Sequence, residues 1–232
     1  MHYMFPFMPA ARSKTVFDIP YQRLYQIGFK GLIFDIDQTL VMHGAPATEQ
    51  VIELFQKLKD LGFHLFLLSN NDEERISKFN QHLAVPYIPI SEKPNPKNFI
   101  KALEIMNLES FETVMIGDQL FTDVLGASRA NIPTILVDFL YDPKEGGIGK
   151  KRWVEKLILS TYPLLRQKNT NLDLLKKENP HGFFGIKIFC FVRLVPLHIK
   201  FLSKKKILKD TFKTSSKVKN FQKYVKKNFY LT

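Results

Sequence analysis

The chain has a single cysteine, Cys190, among its 232 residues, so an internal disulfide cannot form. There is no Cys/His cluster either, so a structural zinc site is not expected, and the cysteine usage fits a reducing, cytoplasmic setting. The opening stretch, M-H-Y-M-F-P-F-M-P-A-A-R, lacks a basic n-region and is broken by Pro6 and Pro9, so no signal peptide is expected. No apolar run is clean enough to cross a bilayer. The best, residues 183–202, carries Lys187, Arg193, Lys200 and Pro196, and each central cation costs about 2.5–3.5 kcal/mol on insertion. Acid is scarce at one end only. Residues 170–232 hold 15 of the 34 Lys/Arg and 3 of the 22 Asp/Glu, so the formal charge of +12 belongs to them, and residues 1–169 balance at 19 of each. The division predicts an N-terminal arm over 1–29, a domain over 30–168 and a basic, partly apolar tail over 169–232. The domain has no single-sign field of its own to attract a polyanion.

What is present begins at Lys30–Val41, K-G-L-I-F-D-I-D-Q-T-L-V. Leu32, Ile33, Phe34 and Ile36 form a continuous apolar run, as in a strand covered on both faces of a parallel sheet. Residues two apart on extended backbone point the same way, so Asp35 and Asp37 converge. Two such carboxylates repel unless a cation neutralises them or one takes a proton. Both remedies suit phosphoryl transfer, whereas an isolated D-x-D is more often an exposed acidic turn after a strand. The rest of the chain decides between these readings.

Beyond a lead-in over Lys14–Gly28, strands and helices alternate. A helix opens near Thr48 with Val51, Leu54, Phe55, Leu58 and Leu61 on one stripe. The run F-H-L-F-L-L-S-N reads as a second strand ending at Ser69, residues 72–83 as a helix, and V-P-Y-I-P as a third strand before Lys93. Asn95 and Pro96 read as N-cap and first helical position of the next helix. T-V-M-I-G-D is a fourth strand, T-D-V-L-G-A-S-R-A-N a helix and P-T-I-L-V-D-F a fifth strand. Trp153, Leu157 and Ile158 mark a docking helix. The expected fold is α/β, a doubly wound parallel five-stranded sheet with no cap domain, followed by the basic C-terminal extension. In such sheets ligands bind at the carboxyl ends of the strands, beside the switch point. Asp35, Ser69, Lys93 and Asp118 all fall there, a much rarer coincidence than one D-x-D. G-G-I-G-K-K at 146–151 lacks the Ser/Thr of a phosphate loop and reads as a flexible loop, and His43 and His64 read as isolated surface or packing residues.

The four segments D-I-D-Q-T-L, L-L-S-N-N, E-K-P-N-P and G-D-Q-L-F-T-D resemble, in order, motifs one to four of the haloacid-dehalogenase (HAD) superfamily of phosphohydrolases. The wider wording, T-V-F-D-I-P before motif one and M-I-G-D-Q-L-F-T-D-V-L-G-A-S-R-A-N around motif four, is similar to the YqeG-type branch of subclass IIIA and to mitochondrial phosphatidylglycerophosphatases. The match covers roughly 14–166. It departs at Gln38, where that branch usually has Asn, and at Glu92, where a small residue is common.

The resemblance implies a Mg²⁺-dependent phosphatase. Asp35 is then the nucleophile that becomes an aspartyl-phosphate, and Asp37 the acid and base. Asp35, the backbone carbonyl of Asp37, and Asp118 hold Mg²⁺. Ser69, Asn70 and Lys93 bind the phosphoryl group, while Thr39 braces the loop. Asp123 either orders a metal-bound water or caps its helix. With short gaps where relatives insert caps, the site should be open, which suits a phosphate carried on something large. The resemblance favours a lipid head group, phosphatidylglycerophosphate. A nucleic-acid or protein phosphate is the alternative substrate, and a non-catalytic scaffold for RNA or ribosomes the alternative function. The tail, aromatic-rich and then lysine-rich, fits docking on anionic membrane; a disordered or nucleic-acid-binding tail stands beside that reading.

Overall fold

A computed structural model describes residues 8–140 and 150–160. The expectations placed on 141–149 and on the tail beyond 160 lie outside the described residues. In chain order the elements are β1 (Ala11–Ser13), α1 (Tyr21–Gln26), β2 (Gly31–Phe34), α2 (Glu49–Asp60) and β3 (His64–Leu68), then α3 (Glu73–Asn80), β4 (Tyr87–Ile88), α4 (Lys97–Met106) and β5 (Thr113–Gly117). A π-turn over Leu120–Val124 leads into α5 (Leu125–Arg129), followed by β6 (Thr134–Val137) and α6 (Lys150–Ser160).

The sheet is parallel throughout, in the order β1-β6-β5-β2-β3-β4. It has six strands where the sequence pattern predicts five. The sixth comes from the N-terminal arm, with Ala11, Arg12 and Ser13 in register with Ile135, Leu136 and Val137. Its short A-R-S run carries no strand pattern; the pairing is made by backbone groups that cover the otherwise open edge of β6. Thr48 caps α2 by accepting from the Val51 N–H at 3.3 Å, and Asp72 caps α3 by accepting from Arg75 N–H at 2.8 Å. In α4 the N-cap is Pro96 rather than Asn95, although the Asn95 side chain accepts from Lys97 N–H at 3.1 Å.

Alternate strand residues feed two cores. Leu32, Phe34, Leu65, Leu67, Val114 and Ile116 pack with α1, α2 and α3 on one face. Ile33, Phe66, Leu68 and Met115 pack with α4 and α5 on the other. Helices thus cover both faces, and the chain reverses direction between β2 and β5, which opens a crevice at their carboxyl ends. Helix α6 returns to that end, with Ile158 and Leu159 against Leu120, Val124 and Leu136. Among the described residues no helix is long and apolar enough to cross a membrane.

Candidate active site

The two central strands end in aspartates. Asp35 follows β2 and Asp118 follows β5, and the Asp35 N–H bonds to the Ile116 carbonyl at 3.0 Å, so the pleated ladder itself sets the two carboxylates beside one another. Asp123, fully buried, joins them from the π-turn, and one carboxylate oxygen from each of the three lies within 4.8 Å of the others. Gly117 makes this approach possible: a Cβ there would meet the Asp123 carboxylate carbon at 2.5 Å.

Lys93 neutralises part of this charge. Its ammonium, with the side chain only 3% exposed, bonds to Asp35 Oδ1 at 2.6 Å and the Leu68 carbonyl at 2.8 Å and pairs with Asp123 Oδ1 at 2.8 Å. Burial opposes that charge, but Asp123 and Asp35 outweigh it and raise the lysine pKa. Burial also pushes Asp35 up to about 6, with Asp123 adding to the rise and Lys93 pulling against it. Asp118 is pushed up to about 7 by burial and by Asp123 and Asp35, against Arg152. Thr39 spans the pair, its hydroxyl 3.2 Å from Asp118 Oδ1 and 3.5 Å from Asp35 Oδ2.

Three carboxylates here face one ammonium and, at Asp118, the Arg152 guanidinium, and the buried Asp123 Oδ1 has its lysine contact but no hydrogen bond. Hard carboxylate oxygens so arranged fit a Mg²⁺-sized cation, which Asp35, Asp118 and Asp123 would hold. Asp35 and Asp118 favour the fold more as protons return: unfolded, each titrates at the ordinary carboxylate value of 3.8, so this contribution to stability rises as pH falls from about 7 toward 4 and is lost above 7. A divalent cation supplies at high pH what protons supply at low pH. Mg²⁺ at about a hundred times its dissociation constant should therefore add roughly 2.7 kcal/mol at pH 8, visible as a shift of several degrees in a thermal melt, and distinctly less at pH 5.5. Equal shifts at the two pH values would remove the carboxylates as the ligands.

Asp37 stands apart from the triad. Asn71 Nδ2 donates to its Oδ2 at 2.6 Å; Arg75 and the Gly44 N–H donate to its Oδ1 at 3.1 and 3.2 Å. His43 Nδ1 lies 3.2 Å from Oδ2. Burial works to raise the Asp37 pKa, yet the bonds from Asn71, Gly44 and Arg75 outweigh it and the pKa is lowered. The reading of His43 as isolated is corrected: its exposed ring reaches the Asp37 carboxylate.

The other predicted residues divide by task. Ser69 is buried, and its hydroxyl accepts from the Asn71 N–H at 3.3 Å. Asn70 turns toward the lysine loop rather than the crevice: its Oδ1 accepts from Ser91 Oγ at 2.8 Å and Lys93 N–H at 2.9 Å. In Asp123, Oδ2 accepts from the Gln119 N–H at 3.0 Å while Oδ1 faces Lys93, so one carboxylate both closes the turn and joins the triad. Glu92 is exposed at φ 52°, its charge in solvent. Gln38 sits at φ 62°, a left-handed conformation that Asn adopts more readily.

Sequence reasoning missed Asn71, Arg75 and Arg152. From α6, Arg152 donates to the Asp118 carbonyl at 2.8 Å and to Gln38 Oε1 at 2.9 Å, and pairs with the Asp118 carboxylate. Glu155 supports it at 3.2 Å and accepts from the Phe121 N–H at 3.3 Å. Asn71 closes the quoted segment L-L-S-N-N, but its partner does not show there, and no local pattern marks Arg75 or Arg152, since these residues act on partners 34 to 114 positions away.

The HAD-hydrolase-like family model matches residues 91–139. Probable phosphatase YqeG of Bacillus subtilis is 40% identical over 156 residues, which span 66% of this chain and 90% of that protein. Glyceraldehyde 3-phosphate phosphatase of Pyrococcus abyssi is 28% identical over 88 residues, 34% of this chain and 37% of that one. Among solved structures, an uncharacterised protein from Listeria monocytogenes serotype 4b is 23% identical, covers 53% of this chain and 84% of that chain, and superposes with a TM-score of 0.42.

Proposed function

Because the chain belongs to the YqeG family of HAD-like phosphatases, we propose that it hydrolyses a phosphate monoester through phosphorylated Asp35, and that the phosphate is carried on a lipid head group, phosphatidylglycerophosphate. The observation that carries the chemistry is the buried Asp35–Lys93–Asp123 and Asp118 cluster at the carboxyl edge of β2 and β5. Asp35 is the nucleophile: Lys93 holds its Oδ1 and so directs Oδ2 at the phosphorus. The phosphorus–oxygen bond to the alcohol breaks as the bond to Asp35 forms, and Asp37, whose donors favour its carboxylate form, takes a proton from solvent as substrate binds and passes it to the departing oxygen. Asp37 then takes a proton from the water that attacks phosphorus and frees Asp35. A Mg²⁺ ion held by Asp35, the Asp37 carbonyl, Asp118 and Asp123 would supply the positive charge that lets an anionic nucleophile meet an anionic phosphoryl group.

An open site supports a large substrate. Only the turn and loop of Ile36–Thr48 join β2 to α2, and the loop carrying Lys93 follows β4 directly, so no inserted domain stands there to close over a small metabolite. The basic tail supports a negatively charged partner, which is equally a feature of nucleic acid, and the substrate panel has to separate the two. Phosphate release is to be measured from phosphatidylglycerophosphate vesicles, 5′-phosphorylated oligonucleotide and phosphopeptide, each with and without Mg²⁺. The proposal expects Mg²⁺-dependent release fastest from the vesicles. Preference for the oligonucleotide would replace the lipid with a nucleic-acid end.

A further inference from the structure

We infer that Arg75 is a positioning residue for proton transfer, fixing the Asp37 carboxylate in the orientation from which it serves the leaving alcohol. The inference rests on the reading of Asp37 as the acid and base.

Helix α3 is anchored by Ile76 and Phe79, both buried in the core, and its first turn is capped by Asp72. Arg75 therefore starts from a fixed backbone. Its guanidinium lies 5.4 Å from the Phe79 ring centroid. One nitrogen bridges two parts of the motif-one loop, donating to Asp37 Oδ1 at 3.1 Å and to the Ala45 carbonyl at 2.7 Å. That second bond holds the same loop whose Gly44 N–H donates to Asp37 at 3.2 Å. Asn71, on the approach to the same helix, takes the other carboxylate oxygen at 2.6 Å, so α3 and its lead-in grip both oxygens and leave little rotation about the Asp37 side chain.

The arrangement is not that of a surface ion pair. Arg75 is 19% exposed and Asp37 15%, and Arg75 Nε is buried without a hydrogen-bond partner among the described residues. Leaving such a donor unmet costs about 1–3 kcal/mol. An arginine whose task was solubility or a rim salt bridge would keep that nitrogen in water; here it is withdrawn so that the planar head reaches two acceptors at once. A lysine at this position keeps the charge but has no planar fork with which to fix a carboxylate.

Leaving-group dependence separates this role from a structural one. A nitrophenyl phosphate departs as a stable anion and needs little help from an acid, whereas an alkyl phosphate such as β-glycerophosphate needs the proton. In the first turnover, Arg75→Ala should slow alcohol release from β-glycerophosphate by about 10²-fold, the low end of general-acid contributions, and nitrophenol release by less than about fivefold, with KM and the Mg²⁺ titration unchanged. Arg75→Lys should recover only part of the loss. In an Asp37→Asn background the further change to Ala should have almost no effect, because the group it positions is gone. Equal loss on the two esters, or a loss confined to KM, overturns the positioning role. If Asp37→Asn alone slows both esters equally, it is the reading of Asp37 that fails. Thermal melts identify a variant that does not fold, and Arg75→Gln, which keeps the bulk, then takes the place of Arg75→Ala in the same comparison.

Discussion

Asp35→Asn should fold at least as well as the parent and turn over about 10⁴-fold more slowly or not at all, as expected when a covalent nucleophile is removed. The amide keeps the shape of a side chain that is only 9% exposed, but an amide oxygen cannot form the acyl-phosphate bond. The stability half of the prediction follows from the same burial. Desolvation pushes the Asp35 carboxyl up to about 6, so its charged form is penalised at pH 8 and a neutral amide escapes that penalty. Against this stands the loss of the charged contact with Lys93 at 2.6 Å, which leaves the ammonium with Asp123 and the Leu68 carbonyl. The melting temperature at pH 8 should therefore be unchanged or slightly raised. A variant that is inactive because it is unfolded would not support the assignment, and one that keeps substantial activity would remove Asp35 as nucleophile.

Lys93→Met should have the largest effect on stability. The substitution keeps an unbranched apolar stem of similar length and deletes a charge that is shared by Asp35 and Asp123. Removing one partner of a buried ion pair leaves an uncompensated charge and costs about 3–5 kcal/mol. The cost depends on pH in a definite direction. Lys93 pulls the Asp35 pKa down; without it Asp35 titrates still higher in the folded state, while the unfolded chain keeps the ordinary carboxylate value of 3.8. The variant's deficit should therefore be full at pH 8 and shrink as pH falls through 7 toward 4, where Asp35 takes up a proton in the folded protein. Urea unfolding at pH 8 and pH 5 measures both limbs. A deficit that is the same at both would mean that Lys93 acts through packing and not through charge. Activity should be lost at every pH.

Sequence pattern reaches the parts of this protein in which residue type and position are coupled locally. The strands of the sheet centre are apolar runs because both faces are covered, and the ends of β2, β3 and β5 carry Asp35, Ser69 and Asp118 because side chains at strand ends are what a parallel sheet presents to a ligand. The starts of α2 and α3 are legible near Thr48 and residue 72, where each of Thr48 and Asp72 accepts from a backbone N–H three residues on, whereas the cap read at Asn95 falls one residue later, on Pro96. The edge strand β1 is not legible, since what holds it is backbone hydrogen bonding to β6 rather than any pattern of its own. The surroundings of Asp37 are not legible either. Asn71 and Arg75 come within reach only once α3 packs beside the motif-one loop, 34 and 38 residues away in sequence. Arg152 is the extreme case, meeting Gln38 across 114 residues. That contact gives the glutamine a partner at the one position where the motif departs from its usual asparagine.

Lys93 shows the reverse error, a residue correctly placed but incompletely described. Its position in the third motif suggests a cation awaiting phosphate, yet its ammonium already bonds to Asp35 Oδ1 at 2.6 Å and the Leu68 carbonyl at 2.8 Å and lies 2.8 Å from Asp123 Oδ1. Its charge therefore already serves the fold by holding two carboxylates together.

The measurement that tests the covalent account most directly is to mix the protein with substrate and Mg²⁺, quench in acid within one turnover, digest, and look by mass spectrometry for a phosphoryl group on the peptide that contains Asp35. The account predicts that the added mass localises to Asp35, is discharged by hydroxylamine as an acyl phosphate should be, and is absent from Asp35→Asn. Phosphoryl transfer to another side chain, or steady turnover with no phosphorylated peptide at any quench time, would contradict it.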